Sequence, residues 1–116
     1  MIALAMLLAV TVVDGDTLRI DGERIRLLGI DSAEMPGHCR KGRTCAPGDP
    51  HQAKASLTQA ARGPIQVDRI KKDRYGRTIA VVYANGRNLS CLQLERGQAV
   101  YRREYDTGLR IARECR

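Results

Sequence analysis

Two dipeptides, Asp21-Gly22 and Asn85-Gly86, constrain this chain more than any other feature. Each suits the left-handed backbone that a two-residue turn needs to match the twist of the strands it joins, so each predicts a tight hairpin. Around the first, Thr17 to Ile20 alternates and Arg24 to Ile30 reads as the return strand. Ile25 and Leu27 then share one face, and Arg24, Arg26 and Leu28 the other. Around the second, Thr78 to Tyr83 reads as a strand and Arg87 to Leu89 as a short return. Ile65 to Ile70 adds another strand, and Lys71 to Gly76 a charged turn. Val10-Thr11-Val12-Val13 is β-branched and reads as a buried first strand. Residues 1–9 are either the start of that strand or a signal-like remnant. The apolar run is too short to span a membrane, no cation precedes it, and no small-x-small cleavage site closes it.

Helix signals are fewer. Asp49-Pro50 predicts an N-cap followed by proline in the first turn, with the helix running through Ala53, Leu57 and Ala60 to Gly63. Ser90 with Gln93 reads as a capping box for a short helix ending at Gly97. Thr107 to Cys115 reads as a last short helix, and residues 31–48 as loop. With no Phe and no Trp, the core must be built from Ile, Leu, Val and Ala. The 116 residues fit one domain, 1–116. Short strands closed by helices predict an α+β domain of the OB type, a five-stranded, partly open Greek-key barrel with about three helices.

The charge is one-sided. Lys and Arg total 20 against 13 Asp and Glu, a formal charge of +7, and sixteen of the cations are Arg. The planar guanidinium matches phosphate, so a polyanion, nucleic acid first, is the expected partner. Four tyrosines are the only aromatics, which argues against a base-stacking platform. Cys39, Cys45, Cys91 and Cys115 allow three disulfide pairings. Cys39 with Cys45 would close a short Gly- and Arg-rich loop, and Cys91 with Cys115 would pin the C-terminus. Free thiols, and a zinc site from His38, Cys39, Cys45 and His51, are the other readings, although the spacing fits no usual zinc knuckle. Disulfides would place the protein in a secreted or periplasmic setting, whereas free thiols would leave the cytoplasm open.

Asp14-Gly15-Asp16-Thr17 puts two carboxylates at a tight turn, and Asp31 and Glu34 follow about fifteen residues on. The Asp21-Gly22 hairpin brings Asp16 back towards Asp31. Like charges held together are costly unless a cation joins them, and hard oxygens suit Ca²⁺ or Mg²⁺. Arg26 and Arg77 next to such a site would offset the charge that gathers on a phosphodiester under attack. Arg26 and Asp31 lie an odd number of residues apart, so simple alternation sets them on opposite faces. Gly29 is the candidate kink that re-aims Asp31.

Together, Val13-Asp14-Gly15-Asp16-Thr17, Arg26-Leu27-Leu28-Gly29-Ile30-Asp31-Ser32-Ala33-Glu34 and Asp73-Arg74-Tyr75-Gly76-Arg77 resemble the staphylococcal nuclease family. The resemblance continues through Asn88-Leu89-Ser90 and Leu94 to Ala99, and covers about residues 10–105. It implies an OB-fold, Ca²⁺-dependent nuclease acting on DNA and RNA. Asp16, Asp31 and the Ser32 carbonyl would hold Ca²⁺. Glu34 would hold and deprotonate water, and Arg26 and Arg77 would clamp the phosphate. Asp14 would orient the site, and Tyr75, Arg74 and Tyr101 would bind substrate. Ser32 stands where the family has Thr, and Ala33 where it has Pro. The loop from Met35 to Asp49 is also different, with Arg40, Lys41 and Arg43 as candidate nucleic-acid contacts. The chain ends at Arg116, where family members continue the last helix to a Gly-Leu-Trp close, an end that a Cys91–Cys115 bridge would brace.

The expectation is thus a monomeric, metal-dependent phosphodiesterase without stable membrane association. The alternative from another class is a catalytically weak OB-fold module that only binds nucleic acid. The presence of Arg26, Asp31, Glu34 and Arg77 beside Asp16 favours the enzyme.

Overall fold

A computed structural model describes residues 8–115. The order is β1 (Val10–Asp14), β2 (Thr17–Ile20), β3 (Glu23–Leu27), β4 (Ile30–Asp31), α1 (Pro50–Ala60), β5 (Ile65–Lys72), β6 (Thr78–Ala84), β7 (Arg87–Asn88), α2 (Leu89–Glu95), β8 (Val100–Tyr101) and α3 (Arg110–Glu114). Both dipeptides form the hairpins they predict: Asp21 and Gly22 have φ of 49° and 83°, and Asn85 and Gly86 of 52° and 78°.

The main sheet runs β1-β2-β3-β6-β5, with β7 on β6, and β4 pairs separately with β8. Pairing is antiparallel except between β3 and β6, which run parallel from Ile25–Thr78 to Leu27–Ala80. β1 and β5 end the path without pairing with each other, so the described strands form an open α+β sheet, not a closed barrel. β6 is the central strand and is buried on both faces. Ala80 and Val82 enter a cluster with Leu18, Ile25, Leu27, Leu57 and Leu89. Ile79 and Val81 enter a second cluster with Leu28 and Ile111. α1 and α2 supply the first face and α3 the second, so the core is aliphatic throughout, and burial of each large side chain contributes on the order of 2 kcal/mol.

Four expectations change. The first strand is not buried: Val10 and Val12 pack against the core, whereas Thr11 and Val13 face solvent, because β1 is an edge strand with one covered face. The rest of the N-terminal reading, residues 1–7, lies outside the described residues. The strand from Arg24 does not reach Ile30; it stops at Leu27, and Gly29 turns with φ of 78° before β4. That kink releases Leu28 into the second cluster and re-aims Asp31. Ser90 and Gln93 form no capping box. Asn88 caps α2 by accepting from the Cys91 N–H. Ser90 is instead buried and donates to the Leu28 carbonyl at 2.9 Å. Finally, the last helix is shorter than read: positive φ at Gly108 and Leu109 delays it to Arg110. Asp49 with Pro50 starts α1 as expected.

Cys39 pairs with Cys45 and Cys91 with Cys115. This removes the free-thiol and zinc readings, since neither Cys39 nor Cys45 retains a thiolate to bind metal. The pairing fits an oxidising compartment. No helix among the described residues is long and apolar enough to cross a membrane.

Gly29 gives the first prediction. A Cβ there would sit 2.8 Å from Ile111 Cγ1 on a left-handed backbone. Gly29→Ala is therefore expected to destabilise the fold by about 2 kcal/mol, in the range for strained backbone plus overpacking. Urea unfolding followed by circular dichroism measures it, and an unchanged midpoint contradicts the packing described.

Candidate active site

One cleft of about 760 Å³ opens between the β1–β2 turn, the loop after β4 and the β5–β6 turn. Asp14, Asp16, Arg26, Glu34, Tyr75 and Arg77 all line it. Residues from three separate stretches of sequence thus meet in one place.

Asp16 anchors the floor. It is buried, at 5% exposure. Its Oδ2 accepts the Ser32 N–H at 2.9 Å, and its Oδ1 accepts the Thr17 hydroxyl at 2.9 Å. The Asp14 carboxylate accepts the Asp16 N–H at 3.1 Å, which sets the turn. Gly15 is required between them. A Cβ there would lie 2.5 Å from Ala53 Cβ and 2.7 Å from Ser32 Oγ. Gln93 fastens the same turn from behind, its amide donating to the Gly15 and Ala53 carbonyls at 2.8 and 3.0 Å. The turn is thus pressed between α1, α2 and the Ser32 loop.

Asp31 reaches the site through the Gly29 kink and is only 1% exposed. Arg26 spans the two acids, with Nη1 3.5 Å from Asp16 Oδ2 and Nη2 3.7 Å from Asp31 Oδ1. It also donates to the Ile30 carbonyl at 3.0 Å. Arg102 approaches Asp31 Oδ2 at 3.4 Å from the other side. Even so, Asp31 Oδ1 has no hydrogen-bond donor, and neither does the buried Ser32 hydroxyl. Buried polar atoms nearly always find a partner, so an orphaned carboxylate oxygen beside a second carboxylate fits a site built for a cation.

The electrostatics agree. Burial alone would raise the Asp16 pKa, but Arg26 and the hydrogen bonds to Asp16 outweigh it and hold the carboxyl below its ordinary range. Asp14 moves the other way, pushed up to about 7 by burial and by the neighbouring Asp16 charge. One carboxylate of the turn is thus kept ionised at the expense of the other.

The opposite wall is cationic. Arg77 Nε donates to Asp73 at 2.8 Å. The guanidinium groups of Arg40, Arg74 and Arg77 lie 5.2, 5.0 and 5.5 Å from the centre of the Tyr75 ring. Arg74 also donates to the Tyr75 hydroxyl at 2.9 Å. Glu34 is paired with Arg43 at 3.0 Å.

Asp31 and Ser32 are buried and do not themselves line the cleft, and neither does Tyr101, whose hydroxyl donates to Asp106 at 2.7 Å. Asp106 in turn accepts from the Ile111 and Ala112 N–H groups and so starts α3. Tyr105 lines the cleft instead, with Arg26 5.2 Å above its ring. Sequence reasoning passed over Tyr105, Arg102 and Gln93. Gln93 was hidden by its fit to a capping box, and Arg102 and Tyr105 sit in a run of charges with no motif of their own.

With this geometry in place, the chain can be set beside known proteins. The fold and cleft define a small α+β domain that gathers acids and arginines at the turns of one sheet. The family described as "Staphylococcal nuclease homologue" matches residues 24–114, and the chain belongs to that family. It is 30% identical over 102 residues to the succinoglycan biosynthesis protein ExoI of Rhizobium meliloti (strain 1021), covering 85% of this chain and 53% of that protein. It is 38% identical over 85 residues to a thermonuclease of Staphylococcus intermedius, covering 62% of this chain and 45% of that one. The chain thus spans about half the length of these relatives.

Arg26 gives the second prediction. Arg26→Met leaves two buried carboxylates without their shared cation and should cost about 3 kcal/mol at neutral pH. Asp16, whose pKa is depressed on folding, contributes stability above its unfolded value of 3.8 and loses that contribution as pH falls through the carboxylate range. The deficit of the variant should therefore shrink between pH 7 and pH 3. Denaturant titrations at both pH values read this directly, and a deficit that grows on acidification contradicts it.

Proposed function

We propose that this domain is a Ca²⁺-dependent nuclease that hydrolyses phosphodiester bonds of DNA and RNA with low sequence specificity. It would work as a monomer, on a partly open OB-type fold, in a secreted or periplasmic setting. The observation that carries the reading is Asp31 Oδ1, which has no hydrogen-bond donor in a residue 1% exposed, and which shares Arg26 with Asp16 behind the wall of an arginine-lined cleft. Family membership and the likeness to a thermonuclease support it.

In this reading Asp16, Asp31 and the Ser32 carbonyl hold the ion, and Asp14 orients the turn that presents Asp16. Bound there, Ca²⁺ supplies positive charge that polarises a phosphoryl oxygen. Glu34 orients the attacking water and accepts its proton as the new P–O bond forms and the bond to the leaving oxygen breaks. Arg26 and Arg77 meet the charge that develops on the equatorial oxygens. Tyr75 and Arg74 bind a phosphate along the strand. Contacts of this kind read phosphate rather than bases, which accounts for low sequence specificity.

Digestion of plasmid DNA and of RNA in Ca²⁺ and in EDTA tests the proposal. Cleavage is expected in Ca²⁺ and not in EDTA. Glu34→Gln and Arg77→Ala are expected to lower turnover by about 100-fold or more, the usual scale for losing a general base or a transition-state cation. Full activity in either variant contradicts the role given to that residue, and binding of nucleic acid without cleavage in Ca²⁺ overturns the proposal in favour of a binding module.

A further inference from the structure

The loop closed by Cys39 and Cys45, which are six residues apart in sequence, carries Arg40, Lys41 and Arg43. All three line the cleft, and two of them make specific contacts there. Arg40 lies over the Tyr75 ring and donates to its hydroxyl at 3.3 Å. Arg43 pairs through Nη1 with Glu34 Oε1 at 3.0 Å, and its Nη2 lies 3.9 Å from Asp31 Oδ1. The loop has no regular structure around these residues, and a turn from the Arg43 N–H to the Arg40 carbonyl, 3.0 Å long, fixes their relative positions.

The cations around the acidic cluster differ in freedom. The Arg26 side chain is 11% exposed and held by a carbonyl, and that of Arg102 is 29% exposed. Arg77 is engaged with Asp73. Arg43 is the most exposed of them, at 37%, and its partner Glu34 is 21% exposed. The Arg43–Glu34 pair is partly open to water and the further contact to buried Asp31 is long, at 3.9 Å, so the guanidinium can exchange Glu34 for another anion at small cost. A phosphodiester offers two oxygens that match the guanidinium fork. The disulfide matters because it removes most of the conformations a loop of this length would otherwise sample, so less order is lost on binding.

We propose that Arg43, presented by the Cys39–Cys45 loop, is a phosphate-binding residue that leaves Glu34 for the backbone of a single nucleic-acid strand, and that the disulfide is what presents it. The inference rests on the nuclease reading only for the class of polymer in the cleft. Release of Glu34 then coincides with arrival of the phosphate, so the carboxylate is freed when substrate is present.

The test is binding without turnover. A short fluorescein-labelled oligothymidylate is titrated in EDTA against wild type, Arg43→Ala, Arg43→Lys, Cys39→Ser/Cys45→Ser and the triple variant, with anisotropy as the readout at several salt concentrations. Arg43→Ala should weaken binding by about 10-fold, the scale of the hydrogen bonds made by one charged group. It should also lower the salt slope by about 0.7, one phosphate contact on a single strand. Arg43→Lys should recover part of the loss. The double serine variant should lose a similar factor, and adding Arg43→Ala to it should cost no more than about 2-fold further, because sites that act through one another are not additive. Equal affinities of Arg43→Ala and wild type, full additivity, or no binding by wild type overturns the proposal. Wild type that binds as described but does not cleave in Ca²⁺ overturns the nuclease reading and leaves this one standing.

Discussion

Two buried carboxylates held within reach of one guanidinium set the terms for the rest of the molecule. Asp16 and Asp31 are both nearly inaccessible to water, and Arg26 lies 3.5 and 3.7 Å from them. Such a cluster costs desolvation energy and is weak as a source of stability. It persists because everything around it is over-determined. Gly15 lets the turn press against Ala53 and Ser32, Gln93 ties the turn to α1, and the Gly29 kink brings Asp31 round to meet it. The aliphatic core on both faces of β6 holds those pieces in register. Packing that keeps like charges together in this way is what the proposed cation site would require.

The positive charge has a matching division of labour. Of sixteen arginines, a few are committed within the site, as Arg26 and Arg102 are to Asp31. Others form the rim: Arg40, Arg74 and Arg77 surround Tyr75. Others still are structural, like Arg110, which bonds Glu114 and Tyr83 and pairs with Asp68 to fix α3 against the sheet. On the proposed function, the net charge of +7 would supply long-range attraction for a polyanion, and the geometry of individual guanidinium groups would decide where its phosphates sit.

Much of this was legible in the sequence, and for local reasons. Asp21-Gly22, Asn85-Gly86 and Asp49-Pro50 act through their own backbone preferences, so the hairpins and the start of α1 could be read from a few residues. The meeting of Asp16 and Asp31 followed from folding a chain back at one of those hairpins. What escaped depends on distant partners. Gln93 satisfies a capping pattern, yet its amide reaches Gly15, 78 residues away in sequence. The β4–β8 pair is two residues long on each side and has no alternation to detect. Arg43 was legible as a candidate contact in the loop that Cys39 and Cys45 close, but its pairing with Glu34 was not, because it depends on the course of a loop without regular structure. Tyr101 and Tyr105 sit in one short run, and which of them faces the cleft depends on Asp106, which takes the Tyr101 hydroxyl for the start of α3.

The central claim, that Asp16 and Asp31 are gathered for a cation, is tested most directly by calorimetric titration of the metal-free protein with CaCl₂ alone. The account predicts saturable binding of one Ca²⁺ per chain, a melting temperature that rises with Ca²⁺ by mass action, and loss of both in Asp31→Asn. A wild-type protein that is folded yet shows neither saturable heat nor a shift in melting temperature would contradict it.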